Sequence, residues 1–166
     1  MQKIKFEESI ERILKKDPRY DRDAYLFVRA GLDFTVKLQK KAEKAGQTTP
    51  RHITGQELLE GLRRFALQQF GPMTKTVLSY WGVNRCEDFG EIVFNMVDSG
   101  ILGKQERDSR DDFKSGYDFD EAFVKPYQPS RPRRLRHADT PPRSGTERLG
   151  EGQRSADATE LSGGTN

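Results

Sequence analysis

The residues able to carry chemistry are few. The chain has 166 residues with one cysteine, Cys86, and two histidines, His52 and His137. A structural zinc site draws four ligands, mostly from Cys and His, and that set is not available here. Cys86 falls near the start of an expected helix, where the helix dipole lowers a thiol pKa. Glu87 and Asp88 beside it oppose the thiolate, so the residue reads as a buried or incidental thiol rather than a nucleophile. No phosphate-cradling glycine loop and no dinucleotide glycine pattern occurs.

The carboxylates Asp108, Asp111, Asp112, Asp118, Asp120 and Glu121 are the best metal candidates. An EF-hand loop needs ligands at alternate positions and a glycine at the sixth. Counting from Asp108, the third position is Arg110; counting from Asp118, no glycine falls at the sixth. A solvated acidic surface is the simpler expectation, and neither a metal site nor a cofactor is assigned. The remaining cluster is basic. "RPRRLR" places Arg131, Arg133, Arg134 and Arg136 on one short stretch, suited to salt-dependent contacts with nucleic acid or an acidic protein. The Pro126/Pro129 and Pro129/Pro132 spacings favour extended structure of the kind that peptide-binding grooves take.

Those residues have to be positioned by helices. Phe6, Ile10, Ile13 and Leu14 recur at helical spacing, and Asp17-Pro18 ends that run because a residue before proline avoids the α region. A second helix is expected from about Asp23 to Ala45, with Tyr25, Val28, Leu32 and Leu38 on one side, Gly31 weakening its middle and Gly46 stopping it. Thr54 and Glu57 form a T-x-x-E capping box that opens a third helix with Leu58, Leu59, Leu62, Phe65, Ala66 and Phe70 on its face. Pro72 opens a fourth that closes at Gly82. Asn84 and Glu87 suggest the next cap. The fifth helix carries Phe89, Ile92, Val93, Met96 and Val97 and stops at Gly100; Trp81, Phe89, Ile92, Val93 and Met96 are the expected core there.

Charge and proline divide the chain. Residues 1–123 hold 21 Lys/Arg and 21 Asp/Glu, so the net +3 comes from residues 124–166. That stretch carries five of the eight prolines and almost no large apolar residues. It cannot offset an ordering cost of about 1–2 kcal/mol per residue and is expected to be disordered. No apolar run approaches the ~18 residues of a membrane span. The N-terminus lacks a signal-peptide core, and a lone cysteine forms no internal disulfide. The expected location is cytoplasmic and the expected partners exclude a membrane.

Helices four and five around Gly82 have a helix-turn-helix outline, and residues 103–123 would complete it as a β-hairpin wing. The charges oppose a DNA role. Glu87, Asp88 and Glu91 lie on the would-be recognition helix, and Ser99 to Phe123 holds 4 Lys/Arg against 7 Asp/Glu. Phosphate binding depends on cations.

The segments "AYLFVRAGLDFT", "HITGQELLEGLRRFALQQFGPMTKTVLSYWGV" and "RCEDFGEIVFNMVDSGILGKQERDSRDDFKSGYDFDEAF" resemble an uncharacterised bacterial family associated with the planctomycete and verrucomicrobial lineages. The resemblance spans most of residues 20–123. It implies a bacterial cytoplasmic domain with a variable tail, and carries no activity, ligand or catalytic residue.

The expected architecture is mainly α: a small domain of about five helices over residues 1–123, with a winged-helix-like second half as an open alternative, and a disordered Pro/Arg/Gly-rich tail over 124–166. The expected function is a non-enzymatic protein-interaction module whose surface includes Glu87, Asp88, Glu91, Phe113 and Tyr117. The alternatives are nucleic-acid association through the tail arginines, and divalent-metal chemistry on the 108–121 carboxylates.

Overall fold

The computed structural model describes residues 2–46 and 52–130. The chain divides between Pro129 and Ser130, and the described residues fall almost wholly in the first unit. Five helices build it: α1 (Gln2–Lys16), α2 (Arg22–Lys44), α3 (Gly55–Phe70), α4 (Thr74–Tyr80) and α5 (Cys86–Asp98). A single-turn α6 (Phe119–Phe123) follows, with short 3-10 turns at Gly71–Met73, Arg110–Phe113 and Lys125–Tyr127. The last of these turns lies past residue 123, where the tail was expected to begin.

No strand occurs among the described residues, so residues 103–123 form no hairpin wing. Local chemistry explains why. Ser109 Oγ accepts from the Asp111 amide at 3.1 Å while the Asp112 carboxylate accepts from the Ser109 amide at 3.0 Å, which closes a 3-10 turn where a strand would have started. Asp118 then caps α6, accepting from the Asp120 and Glu121 amides. Asp and Ser side chains that bond their own backbone compete with strand pairing.

The caps mostly follow the sequence. Thr54 and Glu57 form the capping box of α3, with the Glu57 carboxylate 2.9 Å from the Thr54 amide. α5 ends at Gly100, with φ +73°, where the Ile101 amide donates to Met96 O and the Gly100 amide to Val97 O. Those two bonds make a Schellman motif. The α5 cap is one residue later than expected. Arg85 is the N-cap, and Asp88, rather than Glu87, reaches back to the Asn84 and Arg85 amides.

α2 and α3 cross closely because small residues meet there. A Cβ on Gly61 would lie 1.8 Å from Thr35 Oγ1, and one on Gly31 would lie 2.4 Å from Leu62 Cδ2. Gly31 is therefore a contact point between helices rather than only a weak place in one. α5 lies at the centre. Cys86, Phe89, Ile92, Phe94 and Met96 are all buried, and α1, α2, α3 and the Arg110–Phe113 turn pack around it. Trp81 and Val93 are only half-buried. Phe94 falls outside the single apolar stripe expected of α5, and it is buried because a second side of the helix is covered.

The corner between α1 and α2 is fastened to α5 by polar contacts. Arg19 grips Asp17 with Nε at 2.8 Å and Nη2 at 2.7 Å, and reaches Glu91 at 3.2 Å. Asn95 Nδ2 donates to Asp17 at 3.0 Å and to the Tyr25 hydroxyl at 3.1 Å. The Tyr20 hydroxyl donates to Asp88 at 2.9 Å. The Arg19 hydrogen bonds, helped by Asn95, hold the Asp17 carboxyl well below the usual carboxylate range. A carboxyl depressed on folding stabilises the fold above its unfolded pKa of about 3.9 and loses that contribution as pH falls toward the folded value. Asp17→Asn should cost about 1 kcal/mol at pH 7, since the arginine is largely exposed. Its denaturation midpoint should also fall less steeply below pH 4 than the parent's, with chemical denaturation at stepped pH as the check.

Candidate functional site

Of the five residues expected to make a contact surface, Asp88, Glu91, Phe113 and Tyr117 are engaged within the fold. Phe113 is 4 % exposed and covers the face of α5 at Gly90, where an added Cβ would lie 2.8 Å from its ring. Tyr117 is half-buried; its hydroxyl donates to Leu59 O at 3.0 Å, and burial pushes the phenol pKa well above its ordinary value. Neither is an exposed aromatic. Asp88 caps α5 and accepts from Tyr20. Glu91 pairs with Arg19 at 3.2 Å and with Arg110 at 3.2 Å. Both carboxylates are half-buried, as is Glu87. Asp88 and Glu91 of α5 are thus occupied within the fold. Arg131, Arg133, Arg134 and Arg136 lie outside the described residues.

The acidic stretch 108–121 is distributed among separate tasks. Asp108 meets His52, Asp111 pairs with Lys114, Asp112 and Asp118 cap turns, Asp120 pairs with Lys75, and Glu121 pairs with Lys125. Among the described residues no group of three or more His, Cys, Asp or Glu is placed to hold a metal ion. Cys86 is buried, with Sγ 3.2 Å from Tyr117 O and the bare Gly116 backbone against it. Burial pushes its thiol up to about 11, so it is protonated at neutral pH and lacks nucleophilic character.

The structure supplies a different site. A concavity of about 510 Å³ opens between the C-terminal half of α2 and the end of α5. Its α2 wall carries Leu32 and Val36, one turn apart, and continues to Lys40 and Glu43. Val93 and Val97, also one turn apart, face them from α5. Leu58 and Phe113 form part of the floor. The aliphatic residues on these walls are only half-buried, so apolar surface converges on the groove and stays open to water. Burying such surface is worth about 25 cal/mol per Å².

The groove is apolar toward Leu32, Val36, Val93 and Phe113 and polar at its mouth. His52 Nε2 lies 3.2 Å from Asp108 Oδ2 across that mouth. Lys104 Nζ sits 5.3 Å over the Phe94 ring, and the Arg110 guanidinium lies 4.8 Å from the same ring. A volume of this size is in the range of binding sites that take a ligand or a few inserted side chains.

The sequence carried a faint signal for these residues. Leu32, Val93 and Val97 read as ordinary core positions, and Val36 was not among the residues expected on the α2 stripe; that the four face each other across a gap depends on how α2 and α5 pack. No helix among the described residues is long and apolar enough to cross a membrane. Comparison with family models, with curated proteins and with solved structures finds no match to this chain.

Proposed function

We propose that this protein is a non-enzymatic protein-interaction module whose contact surface is the groove between α2 and α5. The observation that carries the reading is the convergence of half-buried aliphatic residues on one concavity. The α2 wall from Leu32 to Glu43 spans ~16 Å at 1.5 Å per residue, which matches about three turns of a partner helix. An amphipathic helix laid there would place apolar anchors at i, i+4 and i+7 against Leu32, Val36, Val93 and Val97. α5 contributes Val93 and Val97 to this surface, while Asp88 and Glu91 serve the scaffold.

The test is a set of variants compared in one co-purification from native cells. Val36→Glu and Val97→Glu put a charge into the groove from half-buried positions, and each should abolish recovery of a stoichiometric partner while the far-ultraviolet circular dichroism stays unchanged. Glu87→Gln and removal of residues 131–166 should leave recovery intact. Recovery that survives both groove variants and disappears with residues 131–166 would overturn the reading and favour the tail arginines. The same volume supports a second reading, a small apolar ligand. Native mass spectrometry showing a bound small molecule that is lost in Val36→Glu would move the assignment there.

A further inference from the structure

The groove has one wall that is built unlike the others. Residues 103–108 run along its mouth, and Gly103, Lys104 and Asp108 line it. At its front end the segment follows the Gly100 stop, where φ is +73°. Gly100 and Gly103 have open space where a Cβ would be. At the far end the Ser109 cap anchors the chain to the turn that carries Phe113. Between these anchors, residues 103–107 are exposed.

The fastening of this segment is sparse. Among the described residues its hydrogen bonds join it to itself, with the Gln105 amide donating to Asp108 Oδ2 at 2.8 Å and the Asp108 amide to Gln105 O at 3.1 Å. The exception is His52, whose ring nitrogen meets that same Asp108 oxygen at 3.2 Å. Lys104 adds its ammonium over Phe94 at 5.3 Å. His52 belongs to the approach to α3 and Asp108 to the segment after α5, so the pair ties the two banks of the mouth together. A segment held to the rest of the described residues by these two contacts opens locally at lower cost than the helices around it.

We infer that residues 103–108 are a strap along the mouth of the groove, latched by the His52–Asp108 contact and the Lys104–Phe94 stacking, and that its release widens the mouth for the partner helix. The inference rests on the groove being the binding surface. Opening swings Lys104 off Phe94 and frees Asp108 from His52, pivoting at Gly103. Leu102 stays with α5, because its amide donates to Met96 O at 3.3 Å.

Two measurements on the full chain test the strap and separate it from the reading beneath it. Amide hydrogen exchange reports the latch without any ligand. His52→Ala should speed exchange at the Gln105 and Asp108 amides by about threefold to tenfold, the effect of one modest hydrogen bond, while Ile92 and Val93 keep their protection. His52→Gln, which retains a donor, should restore most of it. Unchanged exchange in His52→Ala would overturn the latch.

Stopped-flow binding of 1-anilinonaphthalene-8-sulfonate reports the gate. His52→Ala should raise the dye's association rate by a similar factor, and an unchanged rate with faster exchange would overturn gating. A dye signal that persists in Val36→Glu would place the dye elsewhere and count against the groove itself. The exchange result would still decide the latch.

Discussion

Phe113→Ala should lower the free energy of unfolding by about 3–5 kcal/mol, the range for deleting a fully packed phenylalanine ring. The ring is 4 % exposed and lies against two glycines, Gly90 on α5 and Gly55 at the start of α3; a Cβ at either would come within 3.2 Å of it. It also meets Phe94 edge-on, with centroids 6.5 Å apart. Gly90 and Gly55 have no side chains to move into the space the ring leaves. The cavity term therefore adds to the lost transfer energy. Had Phe113 stood on an exposed wing, the same change would fall within about 0.5 kcal/mol. Tyr80→Ala, at a side chain 83 % exposed, supplies that comparison within the same protein. Urea denaturation of both variants checks the contrast, and equal midpoints would contradict the packing described here.

Gly61→Ala should destabilise the protein by about 1–3 kcal/mol through overpacking, although alanine is the better helix former by about 1 kcal/mol. The new methyl would lie 1.8 Å from Thr35 Oγ1 and 2.8 Å from Thr35 Cβ and Cγ2. Thr35 cannot easily give way. It is β-branched within a helix, 7 % exposed, and its hydroxyl donates to Gly31 O at 2.7 Å. α2 and α3 must then separate, and the α2 wall of the groove moves with them. Adding Thr35→Ala removes Oγ1 and Cγ2 but leaves the 2.8 Å approach to Cβ. The double variant should regain part of the loss, with a coupling of about 1 kcal/mol or more between neighbours in contact. Additive losses measured by thermal and urea denaturation would show that the two residues do not meet.

These two residues also mark where reading the sequence reached its limit. The helix boundaries were legible because they rest on local chemistry. Thr54 with Glu57, Asp17 before Pro18, and Gly100 after α5 each satisfy or deny backbone bonds within a few residues. Leu59, Leu62, Phe89 and Ile92 were legible as core because one helix carries the whole pattern. Gly61 was not, since the reason for its missing side chain is Thr35 on another helix. Phe94 and Phe113 escaped for a related reason: each is buried by the other's segment, and acidic neighbours made residues 103–123 look like surface.

Charge misled in the same direction. Glu87, Asp88 and Glu91 were expected on a contact surface, and two of the three have partners within the fold. Asp88 serves as a cap and Glu91 lies between Arg19 and Arg110. α5 is the scaffold's centre, and its contribution to the groove comes from the uncharged Val93 and Val97.

Site-specific photo-crosslinking in native cells tests the central claim most directly. A benzoylphenylalanine at Val97 points its reactive ketone into the groove, and one at Tyr80 marks exposed surface on α4. The account predicts a discrete crosslinked species from position 97, lost when Val36→Glu is added, and none from position 80. Crosslinking from position 80 with none from position 97 would contradict it.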